Sequence, residues 1–223
     1  MLKPGPKSYR EFLWRRLSAF GAPPPKFIVA GTGRTGSALI SELLQSAGIA
    51  CGHESVFTPW GVCYQRELIG DSSWLAVPYL NEFSGHILHL VRSPEKVAQS
   101  FLDIGFFDPD TDTAYSRFAR RFVPITGNPV DDAFRWYFEW NSRIEAVAHA
   151  RFDLDDVQSL ISHTASLLGV KLPGDAVALQ NPVNRKEGSK NRRHAARIEA
   201  IADVRLRGDV EAMAARYGLS HSS

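Results

Sequence analysis

Short apolar runs alternate with helical hydrophobic patterns from residue 27 onward. Residues 27–31 (FIVAG) form an apolar run typical of a buried strand, and the segment behind it places apolar residues three or four positions apart, as on one face of a helix. The same succession returns with residues 86–91 (HILHLV) and 151–154 (RFDL). Strands that alternate with helices in this way predict an α/β fold, in which helices flank a central parallel sheet.

Glycine and proline set the predicted boundaries of the helices. Pro94 suits the first turn of a helix, and Gly48 and Gly169 suit helix ends. A second short strand is predicted at residues 49–51 (IAC), whereas residues 53–85 give no clear succession of strands and helices. The predicted helices cover residues 38–47, 94–106, 130–148, 155–168 and about 191–217.

The N-terminal segment differs from the rest of the chain and ends in a proline-rich linker. Residues 8–20 predict a short amphipathic helix, with apolar side chains on one side and Arg15 and Arg16 outside. The apolar side chains are those of Phe12, Leu13, Leu17 and Phe20. Such a helix either packs on its own domain or lies on a partner or an acidic membrane surface. We therefore divide the chain into residues 1–26, this helix with its linker, and residues 27–223, a single α/β domain.

Composition narrows the class and the compartment. The chain has 223 residues, 44% hydrophobic and 22% charged, which is typical of one globular domain. Its two cysteines, Cys51 and Cys63, are too few for a disulfide framework and are typical of free thiols in a reducing compartment. No apolar run approaches the ~20 residues that cross a bilayer, and the N-terminus lacks the apolar stretch of a signal peptide. These features predict a cytoplasmic protein.

The formal net charge of +2 hides an uneven distribution. Residues 1–26 and residues 183–197 each carry six Lys or Arg and one Glu, so each segment has a charge of +5. Residues 198–223 carry −1, which leaves −7 for residues 27–182. Two basic segments around an acidic body predict an anionic partner that is held at defined places. Uniform basicity, the mark of a general nucleic-acid binder, is not present.

A glycine-rich turn between the first strand and the first helix of the domain (GTGRTGS) is the strongest candidate for chemistry. Glycines at such a turn let the backbone approach a ligand, while the new helix directs free N–H groups at it, so that the favoured ligand is an anion, most often phosphate. Read as G-x-G-x-x-G, the turn matches the dinucleotide fingerprint, and Glu54 lies 18 residues after Gly36, near the position of a ribose-binding acid. Read as the loop of ATPases and GTPases, it has Ser37 in place of Lys and Ala38 in place of the Mg²⁺-binding Ser or Thr.

The turn also resembles the 5′-phosphosulfate loop of sulfotransferases that use 3′-phosphoadenylyl sulfate (PAPS). In that family a basic residue, a small residue, Gly and Ser or Thr follow the first strand, and this chain has Arg34, Thr35, Gly36 and Ser37 in those positions. Sulfuryl transfer requires a cation and several N–H donors around the sulfonate and needs no metal. A sulfotransferase therefore does not need the Lys and the Mg²⁺-binding Ser or Thr that the ATPase and GTPase loop has.

A second motif supports this resemblance. The segment ILHLVRSPEKVAQSF is similar to the family's 3′-phosphate motif, an apolar strand followed by Arg, a small residue, Pro, and a Ser eight residues after the Arg. Arg92 and Ser100 have those positions, and Arg92 leaves the carboxyl end of a strand, where open α/β sheets bind ligands. The segment RFDLDDVQSLISHTASLLG is similar to a strand of the family that is followed by acidic residues and a helix ending in Leu-Gly. The basic stretch NPVNRKEGSKNRR is similar to the late basic loop of the family, which closes over the nucleotide.

The resemblance implies a P-loop NTPase-like three-layer sandwich, PAPS as co-substrate and a small-molecule, glycan or lipid acceptor with a hydroxyl or amine. It implies Glu54 as the general base, with its neighbour His53 as the second candidate and Arg34 as a catalytic cation. Because adjacent residues of an extended segment point in opposite directions, we expect only one of His53 and Glu54 to face the site. The implied nucleotide contacts are Gly33, Arg34, Thr35, Gly36, Ser37, Ala38, Arg92 and Ser100, together with Arg185, Lys186, Lys190 and Arg192 of the basic stretch.

Two other functions stay open at this point. One is a Rossmann-type oxidoreductase that binds NAD(P), and the other is a nucleotide-binding adaptor without catalysis. The acceptor and the oligomeric state do not follow from the sequence.

Overall fold

A five-stranded parallel sheet forms the centre of the fold in the computed structural model, which describes residues 6–172 and 195–219. Each strand is parallel to its neighbours. The strands lie in the spatial order β2 (Cys51–His53), β5 (Gly70–Ser72), β1 (Phe27–Ala30), β6 (His86–Val91) and β7 (Ala150–Asp153). Two short strands, β3 (Phe57–Thr58) and β4 (Gly61–Val62), pair as a separate antiparallel hairpin.

Helices connect the strands and are capped by polar side chains at most of their N-termini. The α-helices of the described ranges are α1 (Tyr9–Ser18), α2 (Ser37–Ser46), α3 (Pro94–Asp103), α4 (Ala114–Arg120), α5 (Pro129–Glu145), α6 (Val157–Leu168) and α7 (Val204–Tyr217). Within the same ranges, 3₁₀ segments cover Trp74–Glu82, Leu154–Asp156 and Ile198–Ala200. None of the helices in the described ranges has the length and apolar character needed to traverse a bilayer.

The core lies in two layers, one on each face of the sheet. In β1, Phe27 and Val29 pack with apolar side chains of α2 and α6, whereas Ile28 and Ala30 pack with α3, α5 and α7 on the opposite face. This alternation follows from the two-residue period of a strand, and both faces are apolar because helices cover both. The predicted α/β fold, a parallel sheet between two helical layers, is confirmed.

Strand β5 was not predicted, and its composition explains why. Its sequence Gly-Asp-Ser has no apolar residue, yet all three residues are buried between β1 and β2. Gly70 lies directly under the ring of Phe27, where a Cβ atom would overlap with the ring carbons. A strand built from a glycine and two polar residues leaves no hydrophobic pattern to detect.

The C-terminal segment also differs from the prediction of one helix over about residues 191–217. Helix α7 begins only at Val204, after a cap at Asp203, and Ile198–Ala200 form a short 3₁₀ turn. The buried carboxylate of Asp131 accepts hydrogen bonds from the backbone N–H groups of Ala202 and Asp203, which fixes this break. Arg185, Lys186, Lys190 and Arg192, the predicted basic contacts, lie outside the described residues.

The N-terminal helix forms as α1, but its orientation differs from the predicted one. Phe12 is buried and contacts Trp60 and Gly61 of the β3–β4 hairpin. Arg15, placed outside by the sequence pattern, lies on the partly covered side and pairs with Glu11. The other apolar residues of the predicted face are exposed, because the hairpin covers little more than one residue of this short helix.

Candidate functional site

The carboxyl edge of the sheet gathers the residues that the sequence singled out. Since all five strands are parallel, the loop after β1, the turn after β6 and the residues after β2 emerge at the same edge. Open α/β sheets bind ligands at this edge, close to the centre of the sheet. Strand β1 is the central strand, so that its loop has the central position.

The loop between β1 and α2 has an unusual backbone. Gly33, Arg34 and Gly36 all have positive φ, at 76°, 57° and 94°. Thr35, between Arg34 and Gly36, does not have positive φ, so the handedness of the backbone alternates there. Alternation of this kind turns backbone N–H groups toward one side, which makes a concave site for an anion. Arg34 has a Cβ atom and bears a strain of about 1 kcal/mol in this conformation, a cost that concentrates at functional sites. Among the described residues, only Arg34 and Glu54 have positive φ without being glycine.

The N-terminus of α2 is free of a side-chain cap. In α1 and α3 to α7 a Ser, Thr, Asn or Asp side chain accepts a hydrogen bond from the first turn. Helix α2 begins after Gly36, and among the α-helices of residues 6–172 and 195–219 it alone lacks such an acceptor. Its first N–H groups therefore remain available to an external anion. Ser37 and Ala38, two of the predicted contacts, are the first two residues of this helix.

Gly36 is required for two reasons. Its φ of 94° disfavours a side chain, and a Cβ atom at this position would lie 2.6 Å from a methyl carbon of Leu154. Leu154 follows β7, so the loop is pressed against the next connection at the carboxyl edge. A side chain at this position would therefore require Leu154 to move as well.

Side chains of the two predicted nucleotide motifs meet directly. The Nε atom of Arg34 donates a hydrogen bond to the Oγ atom of Ser100 at 2.8 Å, and a terminal nitrogen of Arg92 donates to the carbonyl oxygen of Arg34 at 3.0 Å. Residues 58 and 66 positions apart in the sequence thus form one cluster. The loop motif and the Arg–Ser motif are brought together as the sequence implied.

The cluster concentrates positive charge in a partly buried place. Burial lowers the pKa of Arg92, the repulsion by Arg34 acts in the same direction, and the attraction of Asp155 opposes both. Arg92 nevertheless stays cationic, because a guanidinium loses its proton only far above neutral pH. Two cations held close together in this way are stabilised by an anion that contacts both.

Helix α5 fixes the backbone of both motifs. The indole N–H of Trp136 donates to the carbonyl oxygen of Thr32 at 2.7 Å, and the hydroxyl of Tyr137 donates to the carbonyl oxygen of Arg92 at 3.0 Å. Trp136 and Trp140 are fully buried in the core. They also support the site, because Trp136 holds the glycine-rich loop from below.

His53 and Glu54 lie together at the end of β2, which contradicts the expectation that only one of them faces the site. The Nε2 atom of His53 lies 3.2 Å from Ser37 Oγ in a hydrogen bond and 3.6 Å from Glu54 Oε1. The alternation rule fails because Glu54 has φ of 50° and has already left the extended conformation. Ser37, His53 and Glu54 therefore form a second cluster beside the loop.

The pKa values in this second cluster suit proton transfer. Burial lowers the pKa of His53, which keeps its imidazole neutral at pH 7. Burial raises the pKa of Glu54 to about 7, against hydrogen bonds from Tyr115 and Trp74 and the charge of Arg34, which lower it. A carboxyl group that titrates near neutral pH is suited to act as a general base.

Three residues of the site were missed by the sequence analysis. Tyr115 and Trp74 lie beside the carboxyl group of Glu54, and hydrogen bonding by both side chains lowers its pKa. Asp71 is fully buried in β5 and accepts hydrogen bonds from the backbone N–H groups of Ser55, Val56 and Phe57, at 3.1–3.3 Å, which fixes the chain after Glu54. In the sequence, the only indication of a role for Asp71 is an acidic residue between Gly70 and Ser72. No local pattern indicates that Tyr115 or Trp74 belongs to the site.

The last predicted contact, Thr35, has its side chain in the interior. It is fully buried, its Oγ1 atom lies against Gly31, and this hydroxyl has no hydrogen-bond partner among the described residues. Its backbone lies between Arg34 and Gly36, two of the residues with positive φ.

No family model matches the chain, and no curated protein is similar to it at a significant level.

Proposed function

We propose that this protein is a PAPS-dependent sulfotransferase that transfers the sulfonate group to a hydroxyl or amine of an acceptor. The observation that carries the proposal is the contact of Arg34 with Ser100 and Arg92. Two motifs that resemble separate parts of one nucleotide site meet within hydrogen-bond distance at the carboxyl edge of the sheet.

The donor groups at this edge fit a nucleotide with a phosphosulfate and a 3′-phosphate. Two guanidinium groups, two hydroxyls and an uncapped helix N-terminus offer hydrogen bonds to anionic oxygens. Guanidinium groups match phosphate and sulfonate oxygens through paired N–H donors. In this assignment Arg34 and Ser37 contact the 5′-phosphosulfate, and Arg92 and Ser100 contact the 3′-phosphate.

Glu54 has the role of general base. The bound nucleotide supplies an activated bond between sulfur and the bridging oxygen. Glu54 takes the proton from the acceptor hydroxyl as the acceptor oxygen bonds to sulfur, and Arg34 stabilises the negative charge on the bridging oxygen as the sulfur–oxygen bond breaks. The products are the sulfated acceptor and adenosine 3′,5′-bisphosphate. Positioning and electrostatic stabilisation supply most of the rate enhancement.

The strand order argues against the Rossmann alternative. In a dinucleotide-binding Rossmann sheet the second strand lies next to the first, which places the acid at its end beside the ribose. Here β5 lies between β1 and β2. Glu54 at the end of β2 is also engaged with Tyr115 and Trp74.

Calorimetric titration with adenosine 3′,5′-bisphosphate in the presence of EDTA tests the proposal. We expect saturable binding, and Arg92→Ala is expected to weaken it by about 2 kcal/mol, or about thirtyfold, as for a lost charged hydrogen bond. The matched control is Arg205→Ala, which removes an exposed arginine of α7 and should leave binding unchanged.

The same samples separate the alternatives. Binding of NAD(P) with none of the bisphosphate would refute the proposal. Turnover is then measured with PAPS and a panel of phenols, alcohols and amines, as release of the bisphosphate. Tight binding without turnover of any acceptor would count against an enzyme and in favour of the nucleotide-binding adaptor.

A further inference from the structure

Helix α1 presents an unpartnered apolar face to solvent. Trp14, Leu17 and Phe20, the last just beyond the helix, are 65%, 78% and 87% exposed, and Leu13 is exposed beside them. Phe12 on the opposite side is buried and attaches the helix to the β3–β4 hairpin. Exposed clusters of large apolar side chains mark interaction surfaces.

The same surface is positively charged. Lys7, Arg10 and Arg16 are exposed on or just before α1, and Arg66 donates a hydrogen bond to the carbonyl oxygen of Phe20. Helical geometry places Arg10 on the same side as Leu13, Trp14 and Leu17, which follow it by three, four and seven positions. Glu11 is the acidic residue of the helix, and it pairs with Arg15.

This combination fits an anionic lipid surface better than a second copy of the chain. Pairing of two copies through this face would bring two positively charged surfaces together. On a membrane the aromatic and aliphatic side chains enter the interface, and the arginines extend to the lipid phosphates. The ten residues of α1 are too short to span a bilayer, so the helix would lie along the surface.

We propose that α1 docks this protein on membranes that contain anionic lipids, with Trp14, Leu17 and Phe20 inserted and the basic residues on the lipid phosphates. The inference does not depend on the proposed sulfotransferase function, since it rests on residues that are not part of the nucleotide site. It concerns where the protein works rather than which bond it forms.

Vesicle flotation with the full chain tests the inference. We expect binding to vesicles of phosphatidylcholine mixed with phosphatidylglycerol, and little binding to phosphatidylcholine alone. Leu17→Ser with Phe20→Ser should reduce the binding by ~10-fold or more, because the apolar contribution is lost. The matched control, Ile104→Ser with Val204→Ser, removes two exposed apolar side chains elsewhere and should bind as the wild type does.

Two further measurements sharpen the result. Trp14 is far more exposed than Trp74, Trp136 and Trp140, so a blue shift of tryptophan fluorescence on vesicle addition should disappear in Trp14→Phe. Arg10→Gln with Arg16→Gln should weaken binding to the anionic vesicles, and added salt should do the same.

Three outcomes would overturn the inference. The first is no flotation with anionic vesicles at low salt, and the second is undiminished flotation of the Leu17→Ser, Phe20→Ser variant. The third is concentration-dependent self-association that this variant abolishes while vesicles remain unbound, which would assign the face to a second copy. Bisphosphate binding is measured in parallel, so that a failed nucleotide site and a failed membrane site are distinguished.

Discussion

Arg34 Nε donates a hydrogen bond to Ser100 Oγ at 2.8 Å, across 66 residues of sequence. Arg34 belongs to the loop after β1, and Ser100 lies on α3, which follows β6. The contact places a cation with a strained backbone beside a helix hydroxyl at the centre of the carboxyl edge. It makes the loop and the helix a single site, and their contributions to ligand binding should therefore be coupled.

A double-mutant cycle measures that coupling. Arg34→Ala is expected to weaken binding of adenosine 3′,5′-bisphosphate by about 2 kcal/mol and Ser100→Ala by about 1 kcal/mol, as for a charged and a neutral hydrogen bond. Because the two side chains are in contact, the double variant should lose less than the sum. Arg205→Ala is the control in the same titrations. Strict additivity, or an Arg34→Ala variant that binds like the wild type, would contradict the coupling.

The pH dependence of sulfotransfer should report Glu54. Below its folded pKa of about 7 the carboxyl group is protonated and cannot accept a proton, so kcat/KM should rise through about pH 7. Glu54→Gln should lower the rate by about 10²-fold or more and remove this limb. The comparison is His53→Gln, which should keep it. A limb at lower pH that disappears in His53→Gln would instead identify His53, whose pKa is lowered by burial, as the base.

Tyr115 is expected to be a positioning residue that sets the pH at which kcat/KM rises. Its hydroxyl donates to Glu54 and lowers the pKa of the carboxyl group, so Tyr115→Phe should raise this pKa and move the limb of kcat/KM to higher pH. Binding of the bisphosphate should not change. Tyr64→Phe alters a more exposed hydroxyl and serves as the control. An unshifted limb, or a loss of nucleotide affinity, would argue against this role.

Substitution of two glycines with similar φ distinguishes the cost of backbone strain from the cost of steric overlap. Gly36 and Gly48 have φ of 94° and 82°, but a Cβ atom at Gly48 meets nothing within 4 Å, whereas one at Gly36 meets Leu154 at 2.6 Å. Gly48→Ala should lower the free energy of unfolding by about 1 kcal/mol, the cost of the left-handed conformation alone, and leave nucleotide binding intact. Gly36→Ala should cost more and impair binding.

Urea unfolding of both variants measures the difference. Leu154→Ala, introduced into the Gly36→Ala variant, removes the overlapping methyl groups and should restore part of the lost stability. Equal losses for Gly36→Ala and Gly48→Ala would show that the overlap is relieved by movement of Leu154.

Two buried carboxyl groups should make the protein less stable as the pH rises. The pKa values of Glu54 and Asp71 are about 7 in the folded state, raised mainly by burial from ordinary values of 4.5 and 3.8. Both groups therefore keep their protons to higher pH when folded. The protonated carboxyl groups therefore contribute to the free energy of unfolding, and this contribution is complete below about pH 4 and is lost as the pH rises through about 7.

Urea unfolding midpoints measured over this pH range test whether the stability falls as the pH rises. Glu54→Gln should flatten the decline and raise the free energy of unfolding at high pH by about 1 kcal/mol or more, since no buried charge then forms. Glu199→Gln, at an exposed position, should leave the profile unchanged. A wild-type protein whose stability rises between these pH values would contradict the pKa directions of both carboxyl groups.

The sequence by itself determined the order of the strands and helices that have a clear apolar period, which are β1, α2, β6, α3, α5 and α6. Strand β6 was predicted with the bounds that the structure has, and the glycine-rich turn and the Arg92–Ser100 motif were recognised because their residue types and spacing are local. It also predicted α1 as a helix. A pattern of apolar positions could not decide which side of α1 is covered, because that depends on the hairpin that contacts Phe12.

Only the tertiary structure decided what meets at the carboxyl edge. Strand β5 escaped detection because its burial comes from neighbouring strands and not from apolar side chains of its own. The convergence of His53 and Glu54 depends on one left-handed residue, and Tyr115, which interacts with Glu54, lies 61 residues further along the chain. Contacts of this kind form between segments that are distant in the chain, so their physical cause is the packing of the sheet and its helices and not any local pattern.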